Sequence, residues 1–236
     1  MRPQTIAEKL LKDIRPLRFG SPVSHIYNPL EYARQPYEKY WALYGGPGKE
    51  VVLLGMNPGP WGMVQTGIPF GEISAVRDWL GITAPVRRPR HMHPKRPVEG
   101  FGCQRSEISG KRLWGWAQDR FKTPERFFAR FFVINYCPLV FMEESGRNRT
   151  PNKLPTREQK ALFSICDLAL QRTMEYLQPD HVVGIGKFAE QRARHALGNT
   201  KIPVGGILHP SPASPLANRG WAERITAQLE EMGVKI

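Results

Sequence analysis

The sequence predicts an α/β fold built on a parallel sheet, and three observations predict it. Val51-Val52-Leu53-Leu54, Phe131–Asn135 and His181–Ile185 are continuous apolar runs, the pattern of strands covered on both faces. Helical patterns separate the later runs, and alternation of strand and helix implies right-handed crossovers in one sheet. The first two runs end in loops rich in Gly, Pro or Asn, as strands must where the chain turns.

The elements follow in order. The first ~45 residues read as a helix from Ile6 to Ile14, an irregular Pro-containing segment and an aromatic helix from Tyr37 to Leu43. Val51–Leu54 opens the sheet, Phe131–Asn135 and His181–Ile185 continue it, and Val204–Leu208 is its fourth candidate strand. Between the second and third strands, Leu162, Cys166, Leu170, Met174 and Leu177 recur at helical spacing. Thr156-Arg157-Glu158-Gln159 before them reads as a capping box, with Thr156 as N-cap and Gln159 reaching back. Ala189 to Leu197 and Trp221 to Met232 supply two further helices. No internal repeat or linker interrupts the chain, so residues 1–236 are expected to form one domain, with residues 1–24 as an N-terminal helical extension.

At 236 residues there is ample material for a core. Thirty-four Lys and Arg against 21 Asp and Glu leave a net charge of +13, a field that draws polyanions. Nucleic acid is the first partner to consider, and a merely basic surface is the alternative. No apolar run approaches the ~18 residues of a membrane span, and the N-terminus lacks a signal-peptide core. The chain is therefore expected to be soluble and intracellular. Cys103, Cys137 and Cys166 are three dispersed thiols without a C-x-x-C, which argues against a disulfide framework or a zinc site. Buried reduced thiols are expected at Cys137 and Cys166.

Residues 85–97 pack five cations and four prolines into a segment that cannot be helix or central strand. It reads as a phosphate-tracking arm or as a solvated loop. His91 and His93 within it lack further ligands at metal spacing. Familiar signatures are missing: no G-x-S-x-G, no Walker lysine and no G-x-G-x-x-G after the first strand. Gly184-Ile185-Gly186-Lys187 reads either as a packing turn or as a single phosphate site.

Chemistry is concentrated where strands end. Gly55-Met56-Asn57-Pro58-Gly59-Pro60-Trp61-Gly62-Met63 follows the first strand, Asn135-Tyr136-Cys137-Pro138-Leu139 the second, and His209-Pro210-Ser211-Pro212 the last. Ligands of open α/β sheets bind beyond the carboxyl ends of the strands, so Asn57, Asn135 and His209 can share a pocket. An amide carries both donor and acceptor, which suits the edge of a base better than a phosphate.

These loops, with Gln65-Thr66-Gly67-Ile68-Pro69-Phe70-Gly71-Glu72, Ser145-Gly146-Arg147-Asn148 and Glu190-Gln191-Arg192-Ala193-Arg194, closely resemble the motifs of the single-strand-selective monofunctional uracil-DNA glycosylases, in that family's order. The resemblance runs from about residue 25 to the C-terminus. It implies a three-layer α/β/α sandwich around a four-stranded parallel sheet of order 2-1-3-4, and hydrolysis of the N-glycosidic bond of uracil or 5-modified uracil in DNA. It implies that Asn57 orients the water and that His209 stabilises the leaving uracilate. Asn135 would read the uracil edge and Phe70 would stack on the flipped base. Met56, Gly59 and Met63 would complete the base site, Gly59 by leaving room beside C5. Gly186, Lys187, Pro210, Ser211, Pro212 and Arg219 are the expected DNA contacts.

No cofactor and no metal are expected, and no lysine is placed for lyase chemistry. The expected partner is DNA, single-stranded or mismatched by preference, bound by a monomer with no membrane role, in whichever compartment holds the DNA. A superfamily glycosylase acting on deaminated purines, and a non-catalytic DNA-binding module, are the competing readings. One departure stands out: where vertebrate members of the family place a wedging arginine after His-Pro-Ser-Pro, this chain has Ala213.

Overall fold

Hydrogen bonding between four parallel strands sets the frame. In the computed structural model, which describes all 236 residues, β1 is His25–Tyr27, β2 Val51–Gly55, β3 Phe131–Asn135, β4 Val140–Met142, β5 Asn148–Arg149, β6 His181–Ile185 and β7 Val204–Ile207. The main sheet has the order β3-β2-β6-β7, all neighbours parallel. Counting only these four in chain order gives 2-1-3-4, as the resemblance implies. β1, β4 and β5 form a small antiparallel sheet that the sequence does not announce.

The helices are α1 (Pro3–Ile14), α2 (Pro29–Tyr32), α3 (Arg34–Tyr44), α4 (Met63–Thr66), α5 (Ile108–Phe121), α6 (Pro124–Arg130), α7 (Thr156–Leu177), α8 (Lys187–Ala196) and α9 (Trp221–Glu231). α1, α7 and α8 form one packed group, with α8 against β2, β6 and β7; α5, α6 and α9 form a second, against β3 and β7. Every residue of β2 is buried, which explains its unbroken apolar run. The core is dense in aromatic rings: Tyr40 stacks on Phe132 at 4.9 Å and Phe127 on Phe131 at 5.2 Å. All three cysteines are buried free thiols. No helix is long and apolar enough to cross a membrane.

Two local expectations need correction. The capping box does not form: α7 starts at Thr156 itself, the capping position is Pro155, and no side chain caps the helix. Proline has no N–H for Gln159 to accept, so the Gln159 amide donates instead to the carbonyls of Leu154 (2.7 Å) and Asn152 (3.2 Å). The 85–97 segment is irregular, as expected, but it is not a free arm. Its His93 is fully buried, with Nε2 3.2 Å from the carbonyls of Glu143 and Glu144 and Nδ1 accepting from the Lys95 N–H. The Tyr27 hydroxyl accepts from His93 N–H and donates to Arg96 O, pinning the segment to the small sheet.

Candidate active site

The β2–β3 pairing continues past the strands and joins their loops. Tyr136 N–H donates to Gly55 O and Cys137 N–H to Met56 O, both at 2.9 Å. Asn57 Nδ2 then donates to Leu139 O at 3.0 Å. That bond fixes the amide and leaves Oδ1 as the free acceptor. Beyond these strand ends lies a cavity of about 360 Å³ lined by Met56, Asn57, Pro58, Gly59, Phe70, Glu107, Ser109, Asn135, Asn148, Thr150, His209 and Ser211. Its volume suits a nucleobase-sized ligand.

Gly55 makes the arrangement of the two base-facing side chains possible. A Cβ there would stand 2.2 Å from Asn135 Oδ1 and 2.7 Å from the Phe70 ring, so only glycine lets both close on the strand end. Asn135 Nδ2 reaches Met63 Sδ at 3.2 Å, while its buried Oδ1 has no partner in the protein. An unpartnered buried acceptor is costly, and a ligand N–H would satisfy it. Phe70 holds φ +52°, a strained conformation for an aromatic residue, stabilised by Trp114 Nε1 and Glu72 N–H donating to its carbonyl at 2.9 and 2.7 Å.

His209 approaches from β7. Its ring lies 6.2 Å from that of Phe70, and burial pushes its pKa below the ordinary imidazole value. The imidazole is therefore neutral at pH 7, with one N–H donor to offer. The loop that carries it is clamped from α5. Arg112 donates to the carbonyls of Pro210 (3.1 Å) and Ser211 (3.4 Å) and to Asn218 Oδ1 (2.7 Å), and Asn218 returns a bond to Pro212 O.

Glu107 is the residue that sequence reasoning missed. It stands at the N-cap position of α5 without a side-chain capping bond, before a helix the sequence reading leaves unassigned, although Leu113, Trp114, Ala117 and Phe121 give it a helical stripe. Its carboxyl fills the space beside Gly59 that the sequence leaves open: a Cβ on Gly59 would stand 1.7 Å from Oε1, and one on Gly62 2.1 Å from Oε2. Burial, with the negative charge of Glu72 adding to it, pushes the Glu107 pKa from 4.5 up to about 7. Glu72 itself is satisfied by Ser106 Oγ and the Ala75 N–H at 3.0 and 2.9 Å.

The raised value has a consequence for stability. Between pH 4.5 and about 7 the unfolded carboxyl has lost its proton while the native one holds it, so stability falls as pH rises through that window. At about 1.4 kcal/mol per unit the loss is roughly 3 kcal/mol. Glu107→Gln should therefore unfold at higher denaturant than wild type at pH 8 and near the same midpoint at pH 4. Parallel midpoints at the two pH values would show that Glu107 is not the group held neutral.

Of the residues expected from sequence, Met56, Asn57, Gly59, Phe70, Asn135, His209 and Ser211 line the cavity together. Met63 lies behind it, in contact through Asn135. Gly186 does not present its N–H to a phosphate, because that group donates to Ile207 O at 2.8 Å to extend the sheet; the residue instead packs against His209. Lys187 is exposed and pairs with Glu190 at 3.2 Å. Pro210 is buried, whereas Pro212 and Arg219 are exposed beside the cavity-bearing loop. Two guanidiniums lie over the Trp61 ring, that of Arg105 at 4.5 Å and that of Arg96 at 5.2 Å.

Residues 43–229 match the family profile described as the uracil DNA glycosylase superfamily. A single-strand selective monofunctional uracil DNA glycosylase of Bos taurus is 47% identical over 241 aligned residues, covering 98% of this chain and 89% of the relative. The protein of the same name from Mus musculus is 49% identical, covering 96% and 82%. Among solved structures, wild-type Pedobacter heparinus SMUG2 superposes with a TM-score of 0.67 over 97% of this chain and 98% of its own, at 17% identity; that likeness speaks to the fold.

Proposed function

The chain belongs to the uracil DNA glycosylase superfamily, and on that premise we propose that it is a monofunctional glycosylase that removes uracil and 5-modified uracil from DNA. The observation that carries the proposal is the convergence of Asn57, Phe70, Asn135 and His209 on one nucleobase-sized cavity. Phe70 supplies a stacking face for a flipped pyrimidine. The unpartnered Asn135 Oδ1 accepts from N3–H, and the second Nδ2 hydrogen donates to O4. Cytosine reverses both demands and is rejected.

Asn57 Oδ1 accepts from the attacking water and aims it at C1′. An amide cannot take the proton, so the bond breaks largely by departure of the base, leaving an oxocarbenium-like sugar. Neutral His209 donates to O2, where the negative charge of the uracilate develops. Met56, Gly59 and Met63 shape the base site. Lys187, Arg219, Ser211 and Pro212 contact the DNA backbone, and Gly186 and Pro210 hold the His209 loop rather than the DNA. The enzyme acts as a monomer, without metal or cofactor, wherever the cell keeps its DNA. Release of free base from uracil-containing single-stranded DNA, with 5-hydroxymethyluracil and hypoxanthine as competitors, tests the assignment. Preferential release of hypoxanthine would replace it with the purine reading.

The exposed Ala213, held through its N–H to Ser211 Oγ at 3.2 Å, is too small to fill the hole left by a flipped base. Leu216, 52% exposed on the same loop, is the apolar side chain available to wedge instead. Single-turnover rates should fall in the order single-stranded uracil, U:G, U:A, and Ala213→Arg should narrow the spread. Equal wild-type rates on all three substrates would sink the preference for unpaired or mismatched DNA.

A further inference from the structure

Glu107 is an enclosed carboxyl inside the site for which the chemistry above has no use. The contrast with Glu72 is informative. Glu72 is surrounded by donors, the Ser106 and Ser74 hydroxyls and the Ala75 N–H. Glu107 has none: its Oε2 is buried without a partner, and its Oε1 stands where the side chain of Gly59 would begin. The two glycines admit it to the cavity wall, and any Cβ at Gly59 or Gly62 would have to displace it. A polar group placed without partners at the edge of a ligand cavity is satisfied by the ligand or by solvent, or it is a cost.

The inference rests on the reading that Gly59 lies beside C5 of the bound pyrimidine. We propose that Glu107 is the specificity-determining residue for the 5-position: it pairs with a hydroxyl carried on a 5-substituent and selects against an alkyl group at the same position. A 5-hydroxymethyl group both donates and accepts, so it pairs with the carboxyl in either protonation state. Uracil, with only hydrogen at C5, leaves room for a water to serve the carboxyl. A methyl group displaces that water and returns no hydrogen bond, leaving a buried polar group unsatisfied. Gly59 and Gly62 admit the carboxyl to the cavity wall, and Glu107 sets which 5-substituents the wall accepts.

The test is a ratio of single-turnover rates on single-stranded DNA carrying 5-hydroxymethyluracil or uracil. Glu107→Met, close in shape but without hydrogen-bonding groups, should lower the hydroxymethyluracil-to-uracil ratio about tenfold, the cost of one buried unmatched hydroxyl. Glu107→Gln, which keeps a donor and an acceptor, should hold the ratio within about threefold of wild type. A second comparison needs no variant: wild type should release 5-hydroxymethyluracil about tenfold faster than isosteric 5-ethyluracil. Equal loss on both bases in Glu107→Met, or equal wild-type rates on the hydroxymethyl and ethyl bases, would overturn the role of Glu107 while leaving the glycosylase reading intact. Failure of wild type to release uracil at all would overturn both.

Discussion

Replacing His209 by alanine should lower the single-turnover rate of uracil release by about 10²–10³, the usual cost of one donor to a developing anion. The expectation follows from where the ring sits. It stands half-buried in the cavity wall, 6.2 Å from the Phe70 ring and backed by Gly186, on a loop that Arg112 ties to α5. Its depressed pKa makes it a neutral donor, so it stabilises the leaving base through a directed hydrogen bond rather than through charge. The bond strengthens as the anion forms, which places the loss in the chemical step and not in DNA affinity. Measuring rate at saturating enzyme alongside the dissociation constant separates the two. A variant with unchanged rate and weakened binding would make His209 a DNA contact.

Asn57→Ala should cost about 10² or more in the same assay, the scale expected when a nucleophile is no longer aimed. Asn57 is fixed by a bond from its Nδ2 to Leu139 O, across the junction between the β2 and β3 loops, so its Oδ1 has one orientation. With alanine there, the water loses its only assigned acceptor while base binding through Asn135 and Phe70 is untouched. Combining Asn57→Ala with His209→Ala should bring the loss to less than the product of the single effects if both act in one transition state. Fully multiplicative effects would indicate independent roles.

Much of this site was legible because of where polar residues fall on an α/β sheet. Asn57, Asn135 and His209 each follow an apolar run, and a parallel order brings the carboxyl ends of β2, β3 and β7 to one edge. Helices α7, α8 and α9 were legible from their apolar spacing. The short strands β1, β4 and β5, of two or three residues each, carry too little pattern to be read. The region from Ile108 to Arg130 was missed because Gly110 and Gly115 interrupt its stripe and cations flank its tryptophans. That omission hid Glu107. Its role arises from a tertiary approach to Gly59 and Gly62, which no local spacing records. The same holds for Arg112, whose clamp on the His209 loop joins residues far apart in sequence.

The central claim is that the chain cleaves the N-glycosidic bond and nothing else. An end-labelled single-stranded oligonucleotide with one uracil, incubated with excess wild-type protein and resolved before and after hot alkali, tests it most directly. The strand should be intact before alkali and cleaved at the uracil position after it. A strand that resists alkali, or one already broken before alkali is added, would contradict the account.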